Sequence, residues 1–240
     1  PIHDPEIAAD STLGLIAIRL GRFRESMSDY LNQELSSGRR QRAWVLLGSL
    51  FSSHVNRDLR GDHDGSSEGL GCGGRTLAAS AWADRYHMSR KEKNWLDRLL
   101  LGQPPQLSEE TGGANDLQIY RYYQRTQDAG VGLIFNDLAS FLAGTDGSPL
   151  GEQWERRVNI ARQLLDAYFD RRDEIIDVEP LLSGEEIISE FKLKPGPLIG
   201  KLLQRLIELQ VAGKLKTRDQ ALDSVREILT VEPEKGEDIL

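Results

Sequence analysis

An apolar stripe with helical spacing is the feature that most constrains how this chain can fold. Its members recur every three or four residues and would share one face of an α-helix: Ile199, Leu202, Leu203, Leu206, Ile207 and Val211. Pro197 stands at the first turn of this helix, where its missing N–H costs little. Capping boxes that begin at Ser183 and at Thr217 predict one helix before the stripe and another after it. The segment therefore predicts a small group of packed helices.

Helical periodicity also dominates the rest of the chain, and no convincing run of alternating strand residues appears. A further capping box, at Ser89 and Glu92, predicts a helix that ends before the prolines of 101–106. The other predicted helices are 13–35, 41–55, 76–87, 119–128, 131–143 and 150–175, separated by loops at 56–74, 107–114 and 145–151. No internal repeat is present. We predict an all-α fold with a break near residue 180.

Composition narrows the cellular setting. The single cysteine, Cys72, excludes an internal disulfide framework and a cysteine-rich zinc site. No stretch approaches the length of a membrane span, and the N-terminal residues lack the features of a signal peptide. The chain also begins without Met. We expect a soluble cytoplasmic protein with no membrane association, and a sequence that is a piece of a longer one.

Charge is distributed unevenly along this acidic chain. The net charge is −8, but residues 192–226 contain eight basic and three acidic residues, a local charge of +5. The basic residues are Lys192, Lys194, Lys201, Arg205, Lys214, Lys216, Arg218 and Arg226. Such an asymmetry fits a local anion-binding face, and a solvated helix surface is the alternative.

Residues 52–65 raise the question of a metal site, since they read SSHVNRDLRGDHDG. Imidazole and carboxylate groups, here from His63 and its neighbours Asp62 and Asp64, are the usual ligands of a catalytic divalent metal. The stretch is also rich in Gly and Ser, and an aspartate before a glycine commonly forms local hydrogen bonds in a turn. A solvated turn is the reading that we favour.

The end of the chain carries an ordered set of residues: Leu182, Gly184, Leu193, Lys194, Pro195, Gly196, Pro197 and Gly200, then Gly213, Leu215, Thr217, Arg218, Asp219 and Ala221. In order and spacing, this set resembles the C-terminal region of bacterial tRNA nucleotidyltransferases and poly(A) polymerases. Its Lys-Pro-Gly-Pro turn would present a helix N-terminus beside a lysine, and such an end can hold a phosphate. A plain connector between helices is the alternative.

A second set lies upstream: Tyr120, Arg121, Tyr122, Tyr123, Arg125, Thr126, Ala129, Gly130 and Val131. It resembles the helical body of the same family, although Ser140 stands where the family has an aspartate. Interleaved tyrosines and arginines could stack on bases and contact phosphates. The alternative is structural, with Tyr120 and Tyr123 packed on one face and the arginines outside.

The segments 3–13, 42–55 and 69–100 resemble the skeleton of an HD-type metal-dependent phosphohydrolase domain, which one branch of this family carries. The resemblance implies that the metal ligands have been lost at Ser11, Ser52, Ser53 and Cys72, and that the last ligand pair falls near residues 101 and 102. A divalent cation needs several converging imidazole or carboxylate donors. We therefore expect no metal and no other cofactor in this chain.

Together these resemblances imply the non-catalytic C-terminal part of a tRNA nucleotidyltransferase or poly(A) polymerase-like protein, with the nucleotidyltransferase head upstream in the parent chain. We predict a degenerate HD-like domain at 1–115, a helical body at 116–178 and an RNA-binding-like domain at 179–240. The expected partner is RNA, above all tRNA. Its expected contacts are Lys192, Lys194, Lys201, Arg205, Lys214, Lys216, Arg218, Arg121 and Arg125.

Two alternatives to RNA binding remain open at the level of sequence. In the first, the domain has lost its site and serves as a metal-free scaffold or interaction module, which could form a homodimer. In the second, a relocated metal at His54, His63 and Asp64 supports phosphohydrolase activity.

Overall fold

The computed structural model describes residues 20–36, 38–48, 85–101, 113–144 and 151–231. Within these ranges the chain is all-α apart from one two-stranded sheet, which confirms the predicted fold class. The chain divides into two compact units. The first unit comprises the described residues within 1–114 and 121–170, and the second unit those within 115–120 and 171–240. The three predicted domain boundaries remain predictions.

The described elements up to residue 169 include a 3-10 turn at Gly21–Phe23, α1 (Arg24–Asn32), β1 (Glu34–Ser36), β2 (Arg39–Arg40), α2 (41–48), α3 (Arg90–Leu101), α4 (Asp116–Thr126), α5 (Ala129–Gly144) and α6 (Glu152–Phe169). The division between the units falls within α4, after Tyr120. The capping box predicted for α3 is confirmed, because Ser89 N–H donates to Glu92 at 2.7 Å and Glu92 N–H donates to the Ser89 hydroxyl at 3.3 Å.

The first unit is built around α5, which packs on α3 and on α6. The approach is close at Gly132, where a Cβ atom would lie 2.9 Å from Val45 and 3.2 Å from Trp95. Trp95 and Leu99 of α3 are both buried. The absence of a side chain at residue 132 therefore lets the helices approach at this point.

The first predicted helix ends earlier than expected. The helix predicted at 13–35 ends at Asn32, and β1 then pairs antiparallel with β2. Gly38 turns the chain with φ +78°, and its N–H donates to the Glu34 carboxylate. Strands of three and two residues are too short to produce a visible alternation, so the sequence contains no sign of this small sheet.

The helix predicted at 150–175 is interrupted at residues 170 and 171. Arg171 leaves the helical conformation and precedes a short helix, α7, at Arg172–Ile175. Arg22 pairs with Asp166 and Asp170 in the first unit, whereas Arg171 pairs with Asp116 at 3.2 Å in the second. The interruption thus coincides with the boundary between the units.

The remaining helices of the second unit are α8 (Gly184–Phe191), α9 (Pro197–Val211) and α10 (Arg218–Val231). The central helix, α9, packs on both α8 and α10. Its predicted stripe faces the core: Ile199, Leu202 and Leu206 are buried, and the other three members are half-buried. Ile187 of α8 and Val225 of α10 are completely buried in the same cluster.

The predicted helix starts in the second unit are confirmed in all but one detail. The Ser183 hydroxyl accepts from Glu186 N–H, and the Glu186 carboxylate accepts from Ser183 N–H at 2.8 Å. Pro197 occupies the first turn of α9. At α10, Thr217 accepts from Gln220 N–H at 3.3 Å, but the Gln220 side chain accepts from Lys216 N–H instead of Thr217 N–H. The third capping box is therefore only half formed.

Candidate nucleic-acid interface

The turn between α8 and α9 presents a helix N-terminus to solvent. Lys192 ends α8 in the left-handed region, with φ 54°, and Leu193 N–H bonds back to the Ile188 carbonyl at 3.1 Å. An extended Gly196 then precedes α9, and no side chain caps the first turn of that helix. The first-turn N–H groups carry the positive end of the helix dipole. Lys194, two residues before Gly196, is exposed beside them.

The basic residues predicted to contact RNA in the second unit are all exposed. We define the α9 basic surface as Lys192, Lys194, Lys201 and Arg205. Lys201 and Arg205 are four residues apart and therefore share one face of α9. Lys214 and Lys216 follow the other end of this helix, which lies about 22 Å from its start along the axis. The cations thus form two groups, one before and along α9 and the other after its end.

Three of the arginines in this part of the chain already have carboxylate partners. Arg218 contacts the Glu186 carboxylate through two nitrogens, at 3.2 and 3.3 Å. The nearest contact of Arg226 with Asp223 is 2.7 Å, and that of Arg205 with Glu208 is 3.6 Å. Within the described residues no ion pair involves the lysines of the α9 basic surface. The lysines are therefore the cations most available to a ligand.

Hydrogen bonds lower the pKa of the Glu186 carboxyl at the start of α8. The backbone N–H and the hydroxyl of Ser183, together with the Arg218 guanidinium, hold the pKa of the Glu186 carboxyl below its usual value. Arg218 thereby links the start of α10 to the capping box of α8. Its predicted role in RNA binding would require it to contact a phosphate as well as this carboxylate.

The tyrosines of residues 120–131 are buried, so in this structure they do not stack on bases. Tyr122 donates to the Gly130 carbonyl at 2.7 Å, and Tyr123 donates to the Leu164 carbonyl at 2.9 Å. Both rings are at most 2% exposed. Thr126 also bonds within this segment, to the Tyr122 carbonyl. The structural alternative is confirmed, and it extends to Tyr122 as well as to the two predicted positions.

Arg121 and Arg125 lie on the outside of α4, as the structural alternative expects. Arg125 donates to the Arg121 carbonyl at 3.2 Å. Both arginines belong to the first unit, whereas the α9 basic surface belongs to the second. Their contact with RNA remains a prediction.

The predicted loss of a metal site falls on residues outside those described. These are Ser11, Ser52, Ser53 and Cys72, together with His54, Asp62, His63 and Asp64 of the relocated-metal alternative. In the part of the chain that the structure describes, no three His, Cys, Asp or Glu side chains cluster as a metal site would need. None of the described helices combines the length and the apolar character required to cross a bilayer.

A groove between α9 and α10 was not anticipated from the sequence. Its volume is about 540 Å³, and Leu198, Lys201 and Arg205 of α9 contribute to its lining. Periodicity identified the buried face of each helix. The groove depends on how the two helices pack, which no local pattern specifies.

Comparison with known proteins gives partial matches to one class of enzyme. No family model matches the chain, and no solved structure matches it significantly. A CC-adding tRNA nucleotidyltransferase of Synechocystis sp. is 32% identical over 66 residues, which are 28% of this chain and 16% of that protein. A CC-adding tRNA nucleotidyltransferase of Thermus thermophilus is 33% identical over 101 residues, 42% of this chain and 21% of that protein.

The matched segments span about a fifth or less of the length of these relatives. At that extent they support a relation between this chain and tRNA nucleotidyltransferases, which is the broader part of the family prediction.

Proposed function

We propose that this chain is the non-catalytic C-terminal part of a tRNA nucleotidyltransferase-related protein and that its second unit binds tRNA. The observation that carries the proposal is the α9 basic surface. Exposed lysines flank a helix N-terminus that no side chain caps, within a chain whose net charge is −8. The two CC-adding relatives support tRNA as the RNA in question.

The chemistry of this surface suits the phosphates of an RNA backbone. Lysine contributes a compact positive charge with three donors, and helix N–H groups add donors in a fixed direction. Binding of this kind releases counterions, so that affinity falls steeply as the salt concentration rises. It also carries little sequence information, because phosphate contacts position an RNA without reading its bases.

The spacing between the two groups of cations indicates how long a stretch of RNA the second unit would contact. Lys194 precedes the start of α9, whereas Lys214 and Lys216 follow its end, which lies about 22 Å from the start along the axis. An RNA that bound both groups would lie along the helix. We assign the main contact to the α9 basic surface because the N-terminal end of the helix dipole adds to its charge.

Binding of tRNA to a charge-reversed variant tests the proposal. The triple variant Lys194→Glu, Lys201→Glu and Arg205→Glu should lose more than about tenfold in affinity at low salt, since three attractive contacts become repulsive. The matched control reverses three exposed cations of the first unit, Arg42→Glu, Arg90→Glu and Lys91→Glu, and changes the net charge equally.

Fluorescence anisotropy with labelled tRNA would measure both variants beside the wild-type chain. Equal losses in the two variants would mean that only the net charge matters. Undetectable binding of tRNA by the wild-type chain at low salt would contradict the proposal and favour the scaffold alternative.

A further inference from the structure

The groove between α9 and α10 has an apolar floor that adjoins the core of the second unit and is exposed at Leu198. Leu198, Leu202 and Leu209 contribute from α9, and Ile228 contributes from α10. Leu198 is 37% exposed, whereas most large apolar side chains of the described residues are buried. Exposed apolar surface inside a groove is typical of a binding site.

Charged groups of both signs and a neutral hydroxyl line this groove. Lys201 and Arg205 supply positive charge, Ser224 supplies a hydroxyl, and Glu227 supplies a carboxylate. A hydroxyl both donates and accepts hydrogen bonds, and a carboxylate accepts them. The groove therefore offers an apolar face beside cations, a donor and acceptors.

Lys201 and Arg205 connect the groove to the α9 basic surface. They line the groove on one side, and with Pro197, Gly200 and Gln204 they also line a second depression along α9. A phosphate that bound to these two cations would consequently lie at the edge of the groove. The nucleotide attached to it could place its base over the apolar floor.

We propose that this groove binds an unpaired nucleotide of the RNA, with its base against Leu198 and its phosphate on Lys201 and Arg205. The inference rests on the proposed RNA binding and specifies which part of the RNA the second unit recognises. The face of a base is apolar, and its edge carries donors and acceptors that a hydroxyl and a carboxylate can match.

This geometry discriminates between RNA structures. In a double helix the faces of each base are covered by its neighbours, so only the backbone and the base edges would reach the protein. Sequence-specific recognition of RNA generally uses loops, bulges and ends, where bases are free to leave the stack. The groove therefore favours RNA that offers an unpaired nucleotide.

The test compares the affinities of the wild-type chain and of Leu198→Ala for two RNAs of equal length, one single-stranded and one fully double-stranded. The substitution should weaken single-stranded binding up to about tenfold, because apolar contact with a base face is lost. It should change duplex binding by less than about twofold, because phosphate contacts remain. Leu198 is exposed, and a thermal melt would check that the variant is folded.

Two further variants separate the groove from the charge. Glu227→Gln keeps the size of the side chain and should alter the preference among unpaired A, C, G and U. Lys194→Gln lies outside the groove lining and should weaken binding of both RNAs by the same factor.

The outcomes distinguish this inference from the proposed function. Normal RNA binding with no effect of Leu198→Ala, or with equal losses for both RNAs, would overturn the groove proposal alone. An absence of RNA binding by the wild-type chain would overturn both. Loss of self-association in Leu198→Ala, seen by sedimentation, would show that a second copy of the chain occupies the groove, and would also overturn the inference.

Discussion

At the scale of single residues, a motif that resembles a family can be distinguished from a motif that binds a ligand. Within the set at residues 120–131, the two tyrosines of the first unit belong to its core: Tyr122 and Tyr123 bond to main-chain carbonyls, and Gly130 lies against both rings. The sequence predicted that aromatic side chains would pack there. It did not predict the carbonyls that they reach, since Leu164 is 41 residues away from Tyr123.

Gly130 gives a sharp test of this packing. A Cβ atom there would lie 2.6 Å from the Thr126 hydroxyl and 2.9 Å from the Tyr123 ring, both closer than van der Waals contact. Gly130→Ala should lower the free energy of unfolding by about 1–3 kcal/mol, because the buried side chains must move. Urea denaturation would measure the change.

Gly21→Ala is the matched control, because a Cβ atom at residue 21 would meet nothing within 4 Å. It should change the stability by less than about 0.5 kcal/mol. Equal effects of the two substitutions would contradict the close packing around Gly130.

At the scale of helices and strands, local sequence patterns predict the start and the buried face of a helix, but not a break that coincides with contacts to distant residues. The stripe of α9, its first-turn proline and the capping box of α8 were all predicted from spacing, because each depends on residues within one or two turns. The break between α6 and α7 was missed. It coincides with contacts of Asp170 and Arg171 to Arg22 and Asp116, which lie far away in the sequence.

The Glu186 carboxylate should make the stability of the second unit depend on pH. Its pKa is lower in the folded chain than the ordinary value of 4.5, because Ser183 and Arg218 donate to the ionised form. Its contribution is therefore present above about pH 4.5 and is lost as the pH falls through the folded pKa. Glu186→Gln should be destabilised relative to the wild type at pH 6, and this difference should shrink at pH 3.

Thermal melts of the two proteins across this pH range would measure the effect. Glu185→Gln is the control, since the neighbouring side chain forms none of these contacts among the described residues. A difference between wild type and Glu186→Gln that stays constant from pH 6 to pH 3 would rule out the assigned role.

Replacing Gly200 with alanine should increase the stability of the second unit. It lies inside α9, is exposed, and has nothing within 4 Å of the position of a Cβ atom. Because glycine is less favourable than alanine inside a helix, Gly200→Ala should raise the free energy of unfolding by about 0.5–1 kcal/mol. Denaturant unfolding would measure it, and a loss of stability would show that this face of α9 is in contact with another part of the molecule.

At the scale of the whole molecule, the sequence predicted the all-α class and the candidate cations, but not how the cations are distributed among partners. Spacing placed Lys194 and Arg218 in one basic segment. Only the structure distinguishes them, because Arg218 pairs with Glu186, which is 32 residues away. The groove beside α9 was equally out of reach, since its lining comes from two helices that pack together through tertiary contacts.

The salt dependence of tRNA affinity tests the central claim most directly. For the wild-type chain, the logarithm of the association constant for tRNA should fall linearly with the logarithm of the salt concentration. The double variant Lys194→Gln and Lys201→Gln should reduce the magnitude of that slope by about 1.4–1.8, which corresponds to the loss of two phosphate contacts. Arg90→Gln with Lys91→Gln, at exposed positions of the first unit, should leave the slope unchanged. Identical slopes for all three proteins would contradict RNA binding through the α9 basic surface.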